Sequence, residues 1–146
     1  MTENDVMTDD ELQRQYYELK SIDDHIKKLD HELGAVDSKI SELEAIKGFV
    51  REVSSKSGSE TLIPITDGIF VKAKLLEQGE FVVNVGSGVC VPKSTTETLS
   101  LLDQQSDELL KYRDQIVSKM ETLDKMAQGI EAEFLKRDNA RKTIKR

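Results

Sequence analysis

A heptad repeat of apolar residues between residues 12 and 50 leaves this chain few possible folds. The apolar positions alternate at steps of four and three, and they form two series: Leu12, Leu19, Ile26, Leu33 and Ile40 in the first, and Ile22, Leu29, Val36, Leu43 and Val50 in the second. Gln15 and Lys47 interrupt these series. A period of 3.5 residues keeps one seam facing a partner helix, so the pattern predicts a coiled coil.

The same repeat returns after residue 94. One series is interrupted at Ser106 and Arg113, and the two series are Leu99, Met120, Ala127 and Phe134, and Leu102, Leu109, Ile116, Leu123 and Ile130. Thr8 with Glu11, and Ser94 with Glu97, form two capping boxes. We therefore predict helices over residues 9–53 and 95–141. At 1.5 Å per residue each would be about 65–70 Å long, too long for a globular domain of this size, so they should pair with each other.

The charge distribution predicts that the two helices are antiparallel. Residues 1–11 carry five acidic groups and no basic group, whereas residues 136–146 carry six basic groups and one acidic group. An antiparallel arrangement brings these opposite charges together. Exposed charges are screened by salt, so this pattern indicates orientation more than stability.

A β-rich insert separates the helices. After a linker at residues 54–60, short strands are predicted at 61–65, 68–76, 80–85 and 89–91, with turns at Thr66-Asp67-Gly68, Gln78-Gly79 and Gly86-Ser87-Gly88. Pro92 is predicted to stop the sheet. The predicted fold is therefore mainly α with a small β insert: a long antiparallel coiled coil with two β-hairpins at 61–92, in a single module spanning residues 1–146.

The hairpins are the predicted assembly surface. Two isolated hairpins are marginal in water, and their open edges and apolar side chains invite pairing with other strands. The residues expected to make subunit contacts are Ile63, Ile65, Phe70, Val71, Phe81, Val83, Val85, Val89 and Val91. Near the helix ends, seam residues have few neighbours, so partial coverage and a role in binding apolar partners are expected for Val6, Met7, Leu12, Ile130, Phe134 and Leu135.

Composition favours a reducing, intracellular location. Charged residues make up 34% of the chain and aromatic residues 5%, a balance closer to solvated helices than to a compact enzyme core. The lone Cys90 cannot form an intrachain disulfide, and the acidic N-terminus lacks the apolar segment of a signal peptide. The net charge of −7 disfavours indiscriminate nucleic-acid binding. We therefore predict a cytoplasmic protein.

Residues 79–94, GEFVVNVGSGVCVPKS, raise the possibility of a phosphate-binding loop, but the pattern fails in detail. A Walker A motif needs glycine directly before its lysine, and here Pro92 precedes Lys93. His25 and His31 lie six residues apart and do not share the i, i+4 face that a metal would need. Cys90 is predicted to be a buried, inert thiol. No enzyme, cofactor or metal site is predicted.

Residues 62–97, with the spacing I-P-I…G-I-F-V-K-A…V-x-V-G-x-G-x-x-V, resemble the double-hairpin insert of the α-class prefoldin subunits, in particular the eukaryotic subunit 5-like group. The resemblance covers nearly the whole chain, and the β-class has only one hairpin. It implies a hexamer of two α-class and four β-class subunits whose hairpins form a β-barrel platform. It further implies that unfolded proteins bind at the coiled-coil tips without ATP and pass to a group II chaperonin.

Two other functions remain open at this point. The chain could be a structural coiled-coil module, a filament or scaffold subunit without client transfer. It could also bind nucleic acid through its basic residues 136–146, although the acidic residues 1–11 offer those cations an internal partner. Open-ended polymers, or binding to DNA that depends strongly on salt, would distinguish these alternatives from a closed hexameric chaperone.

Overall fold

The computed structural model describes residues 6–56, 58–76 and 79–144. Its element order is α1 (Asp9–Ser54), β1 (Glu60–Thr66), β2 (Ile69–Lys74), β3 (Glu80–Gly86), β4 (Val89–Ser94) and α2 (Thr95–Ile144). The strands form two separate antiparallel sheets of two strands each, β1 with β2 and β3 with β4. The predicted fold class, two long helices with two β-hairpins between them, is confirmed.

Both helices begin at the predicted capping boxes. The backbone N–H of Thr8 donates to Glu11 Oε2 at 2.9 Å, and the backbone N–H of Glu11 donates to Thr8 Oγ1 at 3.3 Å. The same reciprocal pair joins Ser94 and Glu97, at 3.4 and 3.1 Å. Each box satisfies backbone donors that a helix start otherwise leaves without partners, which fixes where the helix begins.

The chain divides into two compact units, and the first combines Met1–Asp37 with Lys111–Arg146. Its core follows the predicted seam, and its buried seam residues are Ile22, Leu29, Val36 and Ile116. Ion pairs join the helices in this unit at Asp9–Arg141, Glu11–Arg137 and Asp37–Arg113. Because the partner's number on α2 falls as the number on α1 rises, the helices are antiparallel here, as predicted.

The second unit, Ser38–Leu110, holds the ends of the helices that flank the hairpins. Leu43 and Val50 are its buried apolar seam residues. The hydroxyls of Ser54 and Thr95 lie 3.0 Å apart, and this hydrogen bond joins the last residue of α1 to the first of α2. The helices are therefore paired on the side from which the hairpins leave.

Lys47, one of the interruptions in the heptad pattern, is buried in the second unit. Its ammonium donates to Asp103 Oδ1 at 2.8 Å and lies 2.5 Å from Glu44 Oε1. The hydrogen bond to Asp103 raises the pKa of Lys47, and the bond to Glu44 adds to this effect. A buried cation is tolerated when it is paired in this way, so the break in the apolar series is a built interaction between the helices.

The Lys47–Asp103 pair also selects the register of the two helices. Sliding α2 by one heptad would place either Thr96 or Leu110 where Asp103 now lies. Neither residue can replace the carboxylate of Asp103, so a slipped register would leave Lys47 with Glu44, on its own helix, as its remaining partner, and losing one partner of a buried charge is destabilising. A single polar residue at such a position is a known means of specifying coiled-coil register.

Ser106, the other buried interruption in this unit, provides a test of the packing. Its residue is 3% exposed, and its hydroxyl forms no hydrogen bond within the described part of the chain. We expect Ser106→Ala to raise the free energy of unfolding by about 1.5 kcal/mol, because it removes a desolvated hydroxyl and improves helix propensity. Denaturant unfolding measures the change.

The control for this substitution is Ser100→Ala at an exposed position of α2. This substitution should raise the free energy of unfolding by about 0.5 kcal/mol, because it changes only the helix propensity. If the two substitutions raised the free energy of unfolding equally, the interpretation that the buried Ser106 hydroxyl destabilises the folded state would be wrong.

The second hairpin differs from the sequence prediction at Pro92. We predicted that the sheet stops there, but β4 continues to Ser94, with Pro92 opposite Val82 and Ser94 opposite Glu80. In a two-stranded sheet each strand has one open edge, so a proline without an N–H can be accommodated. The predicted turn at Gln78-Gly79 includes Gln78, which lies outside the described residues.

Candidate assembly and client-binding surfaces

The hairpins expose apolar side chains on both faces. Of the nine predicted assembly residues, three are half-buried, Phe81, Val83 and Val91. The other six are exposed: Ile63, Ile65, Phe70, Val71, Val85 and Val89. Since a two-stranded sheet has no second layer to cover either face, these side chains remain accessible to another chain. Their role in assembly stays a prediction.

Sequence reasoning missed three further members of this surface. Leu62, Ile69 and Val82 are exposed large apolar residues on β1, β2 and β3. Leu62 pairs with Lys72, and Val82 pairs with Pro92, on the face opposite to the Ile63–Val71 and Val83–Val91 pairs. The uninterrupted apolar runs at 62–65 and 81–83 were the available signal, because a strand that alternates cleanly has only one apolar face.

The two hairpins are an internal repeat with an offset of twenty residues. Glu60↔Lys74 corresponds to Glu80↔Ser94, Pro64↔Phe70 to Asn84↔Cys90, and Thr66↔Ile69 to Gly86↔Val89. Both hairpins have an irregularity at the same place, between Pro64 and Thr66 and between Asn84 and Gly86. The repeated register means that the chain offers two versions of one β-surface.

The turns of the two hairpins differ in backbone conformation. In the first turn Gly68 has a φ of +77°, whereas in the second both central residues are left-handed, Ser87 at +51° and Gly88 at +76°. Positive φ at both central positions defines a type I′ turn, whose twist matches that of the strands. Asn84 Oδ1 accepts the backbone N–H of Gly86 at 2.9 Å, which supports the bend before this turn. The glycines first considered as a phosphate loop therefore form a hairpin turn.

An apolar groove adjoins the first hairpin within the second unit. It has a volume of about 350 Å³ and lies between the C-terminal end of α1 and strand β1. Phe49 and Val53 contribute from the helix, and Leu62, Pro64 and Leu75 from the hairpin. Phe49 lies outside the heptad series and was not predicted to be functional. Its spacing with Ile46 and Val53, i, i+3 and i+7, places a second apolar stripe on α1 beside the hairpin.

The helix ends, which we define as residues 6–12 and 130–144, contain the six residues for which partial coverage was expected. Val6, Leu12, Ile130 and Phe134 are half-buried and Leu135 is exposed. The expectation of partial coverage is wrong for Met7, which is 3% exposed. Met7 directly precedes the helix cap, where an apolar residue commonly packs against the fourth helical residue, here Leu12.

The cations at the end of α2 are engaged by acidic groups. Arg137 lies 3.8 Å from Glu11 and 3.2 Å from Glu133, and Arg141 lies 3.4 Å from Asp9. These pairs match the charge pattern that predicted the antiparallel orientation. Because Arg137 and Arg141 are paired with these carboxylates, they are less available to bind a nucleic acid.

The Thr8–Glu11 capping box gives the helix ends a defined pH dependence. The hydrogen bond from the Thr8 backbone N–H lowers the pKa of Glu11 from its ordinary value of 4.5. Because the pKa is lower in the folded state, the stabilisation is present above pH 4.5 and is lost as the pH falls through the folded pKa. We expect the chemical shift of the Thr8 amide to move toward that of an unstructured chain in that acidic range, because the start of α1 frays.

Glu11→Gln is the matched control for this pH dependence. The glutamine carbonyl can accept the same hydrogen bond and does not titrate, so the Thr8 amide signal should no longer follow the acidic transition. An unchanged titration of Thr8 in the variant would show that another group controls the start of α1.

Other sequence candidates do not form a site. His25, His31 and Cys90 are exposed, so Cys90 is not the buried thiol that was predicted; its strand belongs to a hairpin with no covering layer. Within residues 6–56, 58–76 and 79–144, no cluster of His, Cys, Asp and Glu side chains could hold a metal ion. None of the helices in this part of the chain is long and apolar enough to cross a membrane.

Comparison with known proteins relates this architecture to one family. The family model described as "Prefoldin subunit" matches residues 22–140. The chain is 34% identical over 61 residues to prefoldin subunit alpha of Thermofilum pendens, which covers 41% of this chain and 47% of that protein. It is 30% identical over 84 residues to prefoldin subunit alpha of Methanococcoides burtonii, covering 57% and 61%. The alignments therefore span about half the length of these two relatives.

A longer alignment and a solved structure agree with this relationship. The match to prefoldin subunit alpha of Methanococcus aeolicus is 25% identical over 125 residues and covers 86% of this chain and 85% of that protein. A cryo-EM structure of filamentous PFD from Methanocaldococcus jannaschii has a TM-score of 0.73 at 20% identity, covering 81% of this chain and 98% of that one. At this identity the structural likeness concerns the fold.

The fold and its exposed hairpins define a class of proteins in which an antiparallel helical pair carries β-hairpins between its helices. Within that class, the chain belongs to the prefoldin family, because the family model covers most of its length. The similarity to subunits named alpha, together with the two hairpins, confirms the predicted α-class. Prefoldin subunits are chaperone-type proteins that associate with one another.

Proposed function

We propose that this chain is a subunit of an ATP-independent chaperone that acts in the cytoplasm. In this proposal its hairpins join two α-class and four β-class subunits into a hexamer, its helix ends bind unfolded polypeptides, and the complex passes them to a group II chaperonin. No cofactor and no nucleic acid takes part. The observation that carries the proposal is the pair of β-hairpins with exposed apolar side chains on both faces.

The assembly role follows from the cost of leaving this surface in water. Burying apolar area stabilises by about 25 cal/mol per Å², so residues such as Phe70, Val85 and Val89 favour contact with another apolar surface. The open strand edges add unpaired backbone donors and acceptors that a neighbouring strand could satisfy. Both effects favour binding to another β-hairpin, which offers apolar side chains and an open strand edge, over binding to a small ligand.

The client-binding role rests on the different character of the helix ends. Leu135 and Ile144 are exposed there, among the ion-paired charges of Glu11, Arg137 and Arg141. Small apolar patches separated by charge bind weakly one at a time, but several arms joined in one complex gain affinity through effective concentration. Such an arrangement suits unfolded chains, which expose scattered apolar segments without a fixed shape.

The direct test of the chaperone proposal is suppression of aggregation. The full chain, alone and combined with a β-class prefoldin subunit from the same organism, should reduce light scattering from a chemically denatured protein diluted into buffer without ATP. Absence of suppression by the assembled complex at a molar excess would contradict a chaperone role. Adding a group II chaperonin and measuring recovery of the folded test protein then examines the transfer step.

A filament or scaffold subunit is the second candidate, and the filamentous form of the solved prefoldin structure is the observation that favours it. Multi-angle light scattering separates the two possibilities. A closed complex of about six chains, formed only with the β-class partner, supports the hexameric chaperone. Open polymers formed by this chain alone, with no suppression of aggregation, support the scaffold.

A further inference from the structure

Two tyrosines on α1 form an exposed aromatic surface that the heptad pattern does not explain. Tyr16 is 64% exposed and Tyr17 is 62% exposed. Their ring centroids lie 6.0 Å apart at an interplanar angle of 69°, an edge-to-face contact. Tyrosine offers a large, rigid contact area at a small entropic cost, and exposed aromatic side chains are enriched where proteins bind other chains.

A shallow groove continues from Tyr17 along the same helix. It has a volume of about 570 Å³ and is lined by Tyr17, Lys20, Ser21, Asp24, His25 and Lys28. From Tyr17 to Lys28 the helix rises by about 16 Å. An extended polypeptide rises about 3.3 Å per residue, so the groove matches a segment of about five residues.

The groove is cationic although the chain as a whole is acidic. Its lining contains two lysines, Lys20 and Lys28, and one carboxylate, Asp24, so the lining has a net charge of +1 where the chain has −7. Neither lysine forms an ion pair with another residue in the described ranges, whereas the nearby Lys27 is paired with Asp23 at 2.8 Å. These two ammonium groups are therefore available to an acidic ligand.

We propose that this surface, the tyrosine groove (Tyr16, Tyr17, Lys20, Ser21, Asp24, His25 and Lys28), binds extended segments of unfolded polypeptide that combine apolar and acidic side chains. The inference rests on the proposed chaperone function and names the contact surface within it. The seam residues near the helix ends are largely covered, with Met7 buried and Phe134 half-buried. The tyrosines add accessible apolar area to that of the exposed Leu135, and the lysines select acidic segments.

Three unstructured ten-residue peptides test the proposal, each with one tryptophan, three leucines and either acidic, neutral or basic remaining residues. Because the chain contains no tryptophan, fluorescence anisotropy of the peptide reports binding to the full chain without a tryptophan background from the protein. We expect the acidic peptide to bind at least about ten-fold more tightly than the basic one at low salt, and this preference should shrink as salt screens the charges.

Variants separate the aromatic from the charged contribution. Tyr16→Ser combined with Tyr17→Ser should weaken binding of the acidic and neutral peptides by about ten-fold, as expected for the loss of an aromatic anchor. Lys20→Gln combined with Lys28→Gln should weaken only the acidic peptide. Met126→Ser, which removes an exposed apolar side chain from α2 in the same unit, is the matched control and should change nothing.

The outcomes distinguish this inference from the function on which it rests. If the tyrosine variant binds every peptide as the wild type does, or if the basic peptide binds as tightly as the acidic one, the tyrosine groove is not the contact surface. If the wild-type complex still suppresses aggregation in that case, the tyrosine groove is wrong but the proposed chaperone function is retained. When the complex neither suppresses aggregation nor binds a peptide, the proposed chaperone function fails with it.

Discussion

Truncating Ile116 to alanine is expected to lower the free energy of unfolding by about 3 kcal/mol, a large share of the stability of a chain of this size. Ile116 is 2% exposed and is the most completely buried large side chain in the described residues. The substitution removes apolar contacts and leaves a cavity between the helices. Urea unfolding followed by circular dichroism at 222 nm measures the loss.

Two further variants calibrate this expectation. Ile116→Val removes one methylene group and should cost about 1 kcal/mol. Met126→Ala alters an exposed position on the same helix and should change stability by less than about 0.5 kcal/mol. Equal losses for Ile116→Ala and Met126→Ala would mean that the predicted seam is not the core of the helical pair.

Placing a carboxylate on each hairpin is the second change for which we expect a large effect. Phe70→Asp in the first hairpin combined with Val89→Asp in the second should weaken association with a β-class subunit by about 100-fold or more. Both side chains are exposed in the isolated chain, so the substitutions should leave its fold intact. In the complex they would bury charges without partners in an apolar interface, which is costly. Sedimentation velocity over a concentration series measures the change.

The control for these charges is Met126→Asp, which adds a carboxylate at an exposed apolar position on α2, in the unit that does not include the hairpins. It should leave association unchanged. Circular dichroism of each variant verifies that helix content is retained. Normal assembly of the doubly charged variant would exclude the hairpin faces as the assembly surface.

The elements with a strong local signal were predictable from the sequence. The helices follow from a sustained heptad period, and their starts follow from two capping boxes whose partners are only three residues apart. The hairpins follow from glycine-containing turns between β-branched runs. Each signal is contained within a few neighbouring residues, so no knowledge of the tertiary arrangement was needed.

The features that depend on distant partners were not predictable. Lys47 and Arg113 appeared only as breaks in the apolar series, since their carboxylate partners Asp103 and Asp37 become neighbours only after the helices have taken their register. The continuation of β4 beyond Pro92 depends on which strand edge is open.

The repeated register of the two hairpins bears on how far an assembly can grow. A chain with two β-surfaces of one register is bivalent through this part, so it can connect two neighbours. By the family resemblance, a β-class chain carries a single hairpin, so under the proposed assembly it would offer one such surface where this chain offers two. Under the proposed assembly, the supply ratio of the two subunit classes therefore determines the choice between a small closed particle and an extended filament.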